Sequence, residues 1–189
     1  EYRWFSFTCR YLYEGSQPYM AVGKIVDITK QRETEELLTR KSQMDGLTKT
    51  FNKMAFQEKM AALLPETGRG LLFVIDMDRF KQVNDEYGHS MGDRVLEEVA
   101  RSLLDVFRHR DPVGRVGDEF VAFLVGANDD AVIEAKREAL SSLIAEASRS
   151  LGVPIALSVG VARYPQDGAT YQELFDAADR AMYDEKNEG

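Results

Sequence analysis

Hydrophobic positions change period several times along this chain, and each change marks an element. Residues 70–77 (GLLFVIDM) are an unbroken apolar run closed by an acid, the pattern of a strand covered on both faces. Residues 154–162 (PIALSVGVA) read as another strand, and shorter apolar runs near 112–116 and 119–125 flank a tight polar turn. Between them the spacing is helical: a short helix over 79–86, then longer ones over about 91–107, 129–149 and 170–186. From residue 70 the order is β-α-β-β-α-β, a split βαβ arrangement. Just upstream, 52–64 (NKMAFQEKMAALL) is an amphipathic helix that Pro65 ends.

The first 44 residues differ in character. Residues 3–13 (RWFSFTCRYLY) alternate loosely and are rich in aromatics, 14–18 form a turn, and 19–28 form a second strand. Two strands alone are marginal in water, so this hairpin is expected to end a larger domain or to pack on something else. Residues 30–44 are charged and helix-prone, with Thr29 as the expected N-cap and only a thin apolar stripe of Leu37, Leu38 and Met44. Such a helix is either a solvated linker or one strand of a pair with a second copy. The expected fold is α+β: a central, mostly antiparallel sheet flanked by helices, with an N-terminal hairpin and a linker helix.

Composition narrows the partners. The formal net charge of -8 argues against broad electrostatic binding to nucleic acid or an anionic membrane, although a small phosphate ligand needs only local cations or a metal. Cys9 is the only cysteine, which excludes a disulfide framework and a thiolate metal cluster and fits a reducing, cytoplasmic setting. No apolar run reaches membrane-spanning length, and there is no signal peptide. The chain starts mid-pattern without Met and reads as a piece of a longer protein, so any membrane anchor is expected in the missing part.

Two acidic stretches carry candidate chemistry. Asp76 and Asp78 fall where a buried strand meets a helix, beside the free backbone N–H groups near Met77 to Lys81. They are either caps of that helix or ligands of a hard cation such as Mg²⁺ that bridges them to phosphates, with Lys81 adding a point charge. The turn in RVGDEFVAF brings Asp118 and Glu119 near Asp76 if its two strands form a hairpin beside strand 70–77. Converging carboxylates repel one another unless a cation is present. Asn84 and Asp93 suit the edge of a guanine, and His89 lies between them. Gly88 and Gly92 read as the end of one helix and the start of the next. Arg108 and Asp111 form either a surface ion pair or a grip on a guanine-phosphate ligand.

From about residue 42 onward the chain resembles the GGDEF, or diguanylate cyclase, family. DGLTKTFNK is similar to the family's D-x-L-T-G-L-x-N-R opening, IDMDRFKQVNDEYGHSMGDRVLEEVA to its D-x-D-x-F-K-x-x-N-D-x-x-G-H-x-x-G-D-x-x-L signature, and ADRAMYDEK to its A-D-x-A-M-Y-x-A-K close. Upstream, GKIVDITKQRETEELL resembles the end of a PAS sensor domain running into a signalling helix. The resemblance implies three parts: a PAS fragment over 1–29, a linker helix over 30–44 and a GGDEF domain over 45–189, with a palm or ferredoxin-like cyclase core. It also implies condensation of two GTP into cyclic di-GMP and two pyrophosphates, by two domains that face each other in a homodimer paired through the PAS and linker regions.

Carried over residue by residue, the family assigns Mg²⁺ or Mn²⁺ to Asp76, the Met77 carbonyl and Asp118, with Glu119 nearby. Asp118 is implied as acceptor of the 3′-hydroxyl proton. Substrate contacts are implied for Phe80, Lys81, Asn84, His89, Asp93, Gly117 and Lys186, and an inhibitory product site for Arg108 and Asp111.

The departures are local. The family's R-x-G-G-D-E-F is here Arg115-Val116-Gly117-Asp118-Glu119-Phe120, one glycine short counted from Asp111; a gap-free alternative puts Val116 in the first glycine position. A shorter hairpin must change turn type or slip register, and a one-residue slip turns the acids to the wrong face. Lys49-Thr50 stand for the family's Gly-Leu, and Lys53 stands for Arg. Three functions follow as expectations: an active cyclase, a degenerate domain that binds GTP or cyclic di-GMP without turnover, and a dimerisation module with a vestigial site.

Overall fold

The computed structural model describes residues 2–188, except the side chains of 35–38, 40, 41, 185, 187 and 188. Residues 1–42 and 43–189 are separate compact units. The Leu37–Leu38 part of the expected apolar stripe lies outside the described residues.

In the first unit, β1 (Phe5–Glu14) pairs antiparallel with β2 (Gln17–Asp27). Every residue of both strands is exposed within this structure. Helix α1 (Thr29–Gln43) follows. Thr29 is not its cap. Thr29 is already the first helical residue, its hydroxyl accepts from the Trp4 amide at 2.9 Å, and its own amide donates to Asp27. The hydroxyl is spent on anchoring the start of the hairpin and is not free for the helix's own amides.

The second unit is a five-stranded sheet in the order β3 (Phe51–Asn52), β5 (Val113–Val116), β6 (Glu119–Val125), β4 (Gly70–Met77), β7 (Leu157–Tyr164). Only β3 runs parallel to its neighbour, so the sheet is mostly antiparallel as the sequence predicts. The two-residue β3 was not expected; it is too short to leave a periodic signal. Strand β7 starts three residues later than expected because 154–156 precede its pairing with β4, although Asp78 N–H already donates to the Ala156 carbonyl.

Both faces of β4 are covered, which is why its run is apolar without alternation. Leu71, Phe73, Ile75 and Met77 join a core with α4 (His89–Val106) and α5 (Asp130–Leu151). Leu72 and Val74 face the opposite way and meet Phe56 and Met60 of α2 (Lys53–Leu63) and Leu174, Ala178 and Met182 of α6 (Tyr171–Glu188). Pro65 falls in a short 3₁₀ turn, Leu64–Glu66, that ends α2. Gly160 on β7 lies directly under α6; any Cβ there would collide with the Ala178 carbonyl. The helix that carries Lys186 is thereby held close over the sheet.

Candidate active site

Alternation along two neighbouring strands sets the site. Strand β6 runs antiparallel to β4 with Val121 opposite Val74 and Phe120 opposite Ile75. Val74 and Val121 both face α2 and α6, so Asp76 and Glu119, two residues further along each strand, share that face. The shortened motif has kept its register. Val116 pairs with Glu119, leaving Gly117 and Asp118 as a two-residue hairpin loop. Gly117 has φ +74 and Asp118 does not have positive φ, the signature of a type II′ turn. The missing glycine is absorbed by turn type and not by a slip.

A brace holds this turn. The Arg115 Nε donates to the Gly117 carbonyl at 2.8 Å, and the same guanidinium reaches Asp45 at 3.2 Å. Asp45 also accepts from the Thr48 amide and hydroxyl at 2.8 and 2.7 Å. Burial works against the Asp45 charge, but the Thr48 bonds and Arg115 outweigh it and hold the carboxyl below its ordinary value. The opening DGLT motif and the DEF turn are thus one structure. Lys49, where the family has Gly, has φ +59, a left-handed conformation that costs any residue with a Cβ.

Neither Asp76 nor Asp78 caps α3 (Phe80–Tyr87); the N-cap is Arg79, at φ +56 and without a side-chain capping bond. Asp78 accepts from the Ser158 hydroxyl at 2.7 Å. Asp76 is bonded to the Lys186 ammonium, which also lies 3.5 Å from Asp78. Partial burial opposes the Lys186 charge, yet the two aspartates offset this and raise its pKa. Burial, then the fields of Asp76, Asp179 and Asp118, push the Glu119 carboxyl up, with Lys186 partly offsetting them. Tyr171, packed edge-on against Phe56, is driven to about 12 by burial and by Glu119. Asp179, which stands in the ADRAMYDEK motif, and Tyr171 and Ser158 are members of this surround to which sequence reading gave no role. The spacing of Asp179 and Lys186, two helical turns apart, was the available signal that they share a face of α6.

The acids suit a hard cation in kind: oxygen donors, partly buried, with more negative charge than Lys186 alone balances. They are not gathered into a cage, because among the described residues no group of three or more His, Cys, Asp or Glu is close enough to hold a metal.

The remaining predicted contacts lie on and between α3 and α4. Asn84 is half-buried, with its amide oxygen against Gly92, where any Cβ would strike it. Gly92 therefore lies inside α4 as a close-approach residue, and Gly88, at φ +83, alone ends α3 and starts α4. His89 and Asp93 are exposed one turn apart on α4, Lys81 is exposed on α3, and Phe80 packs its ring toward the core. Asp78 and Lys186 also border a cavity of about 740 Å³ walled by Val83, Tyr87 and Ile155.

Arg108 and Asp111 are separated in kind. Arg108 is exposed. The Asp111 side chain is fully buried, its two oxygens taken by the Arg108 and Val125 amides, each at 3.1 Å. Here Asp111 works as a structural acid that ties the loop before β5 to the end of β6. Lys136 of α5 lies close by, bonded to the Val106 carbonyl and stacked on Phe107.

Comparison with known proteins agrees with the geometry. Residues 42–189 match the family model for the diguanylate cyclase GGDEF domain. The bifunctional diguanylate cyclase/cyclic di-GMP phosphodiesterase MucR of Pseudomonas aeruginosa is 38% identical over 153 residues, covering 77% of this chain and 22% of that protein. Diguanylate cyclase DgcM of Escherichia coli is 37% identical over 170 residues, covering 86% of this chain and 40% of that protein. The chain thus spans well under two thirds of either relative. The crystal structure of the coiled coil and GGDEF domain of DgcB from Caulobacter crescentus, in complex with c-di-GMP, superposes with a TM-score of 0.73 at 28% identity, covering 86% of this chain and 90% of that one. The family model covers the whole unit that carries the acids, the braced turn and the α3–α4 surface, and on that match this chain belongs to the GGDEF-domain diguanylate cyclase family.

Proposed function

We propose that this chain is a catalytic diguanylate cyclase domain, joining two GTP molecules into cyclic di-GMP with release of two pyrophosphates. The observation that carries this reading is the register of the shortened hairpin, which leaves Glu119 on the Asp76 face with Asp118 at the turn beside it. In each of two steps, a 3′-hydroxyl oxygen attacks an α-phosphorus, the bond to pyrophosphate breaks, and the hydroxyl proton passes to Asp118. Asn84 and Asp93 hold the guanine edge, and the first amides of α3 with Lys81 receive phosphate oxygens. Phe80 and His89 support the nucleotide from α3 and α4. Mg²⁺ or Mn²⁺ held by Asp76, the Met77 carbonyl, Asp118 and Glu119 would supply charge neutralisation at the phosphates.

Each domain carries one such half-site, so turnover requires a second copy. A linker helix paired through α1 supplies it in this reading, and residues 1–29 are taken as the end of a PAS sensor module. Arg108 remains the accessible half of an inhibitory site for the product. The test is incubation with GTP and Mg²⁺ at several protein concentrations, with chromatography for cyclic di-GMP. Product should form at a rate that rises faster than linearly with protein, and fusing α1 to a strong coiled coil should raise it further.

Lys186 is bonded to Asp76, where the catalytic reading puts a metal, which favours a second reading: a domain that binds GTP or cyclic di-GMP without turnover. Nucleotide binding with no product from a dimeric sample selects that reading over catalysis.

A further inference from the structure

Among the described residues, Lys186 is the one cation placed on the acidic centre. Its ammonium is bonded to the Asp76 Oδ2 and lies 3.5 Å from the Asp78 Oδ1. Asp76 is where the proposed function puts a divalent ion. An ammonium and a divalent cation on the same Asp76 carboxylate at contact distance repel each other with little screening, so each weakens the other's hold. Lys186 is built to leave: it sits near the end of α6, on a flexible stem, with its side chain 31% exposed. It also borders the cavity of about 740 Å³, so a displaced head has open space beside it.

We infer that Lys186 is a resident counter-cation that competes with the divalent ion for Asp76, setting a threshold for metal binding. The inference rests on the metal reading of this site. A metal enters against its charge, so this residue weakens metal binding whatever it later does for substrate. An idle surface ion pair would have no such effect.

Manganese alone is the probe, with free ion read by electron paramagnetic resonance and no nucleotide present. Lys186→Gln should bind Mn²⁺ about threefold to fivefold more tightly than wild type, the size of a half-exposed ion pair. Lys186→Arg, which restores the charge, should bind as weakly as wild type. Adding Asp76→Asn to Lys186→Gln should remove the gain. Circular dichroism should stay unchanged throughout. Equal or weaker Mn²⁺ binding by Lys186→Gln overturns the inference while leaving the metal reading intact. So does a gain that survives Asp76→Asn, because the ion then sits elsewhere. Binding by none of the proteins overturns the metal reading and the inference together.

Discussion

Arg115 does more than its place beside the turn suggests. Its guanidinium ties the Gly117 carbonyl to Asp45, seventy positions away in sequence. Only 18% of the Arg115 side chain is exposed, so removing it strands a partly buried carboxylate. Arg115→Ala should lower stability in urea by roughly 1–3 kcal/mol and reduce cyclic di-GMP formation at the same time. Glu119 gives the opposite kind of test. Its proton affinity is raised in the folded state by burial and neighbouring acids. A raised folded pKa means that its contribution is intact below the ordinary carboxylate value and is lost as pH rises through the folded one. Without divalent ions, Glu119→Gln should therefore melt above wild type at neutral pH, and the gap should close below about pH 4. A gap that persists in acid would show that charge is not its cause.

At the scale of elements, two left-handed positions frame the site. Gly117 starts the two-residue loop at φ +74, with open space around the position a Cβ would take. Gly117→Ala thus tests backbone conformation without a clash: it should cost about 1–2 kcal/mol and lower turnover by disturbing the turn that carries Asp118. Lys49, at φ +59, pays the converse cost. Lys49→Gly should stabilise the domain by up to about 1 kcal/mol, the relief of strain less the extra chain entropy of glycine. Thermal melts of the two variants should move in opposite directions.

Over the whole molecule, the compact unit 43–189 contains both hydrophobic cores, all five strands of the larger sheet and every candidate site residue. Removing residues 1–42 should leave one cooperative transition with an unchanged midpoint, measured by circular dichroism at 222 nm in a thermal scan. Substrate binding by that unit should persist while turnover at low protein concentration falls, because the proposed pairing helix is gone. Turnover as fast as that of the full chain at every concentration would remove α1 from the account of dimerisation. Among the described residues, no helix is long and apolar enough to cross a membrane.

The sequence alone determined the class of fold, the order of elements from residue 70 and the set of candidate acids. Those properties are written in period and spacing, which a long buried strand or an amphipathic helix imposes on every residue it contains. It left the shortened hairpin open between two registers, because one residue either way changes nothing local. Only the pairing of Val121 with Val74, with cores packed on both faces, made the slipped register untenable. Tertiary structure likewise chose among roles. It gave Asp111 to two backbone amides, Asp76 to Lys186 and Asn84 to the Gly92 contact. A side chain's partner depends on what distant segments bring to it, and neither composition nor local spacing carries that information.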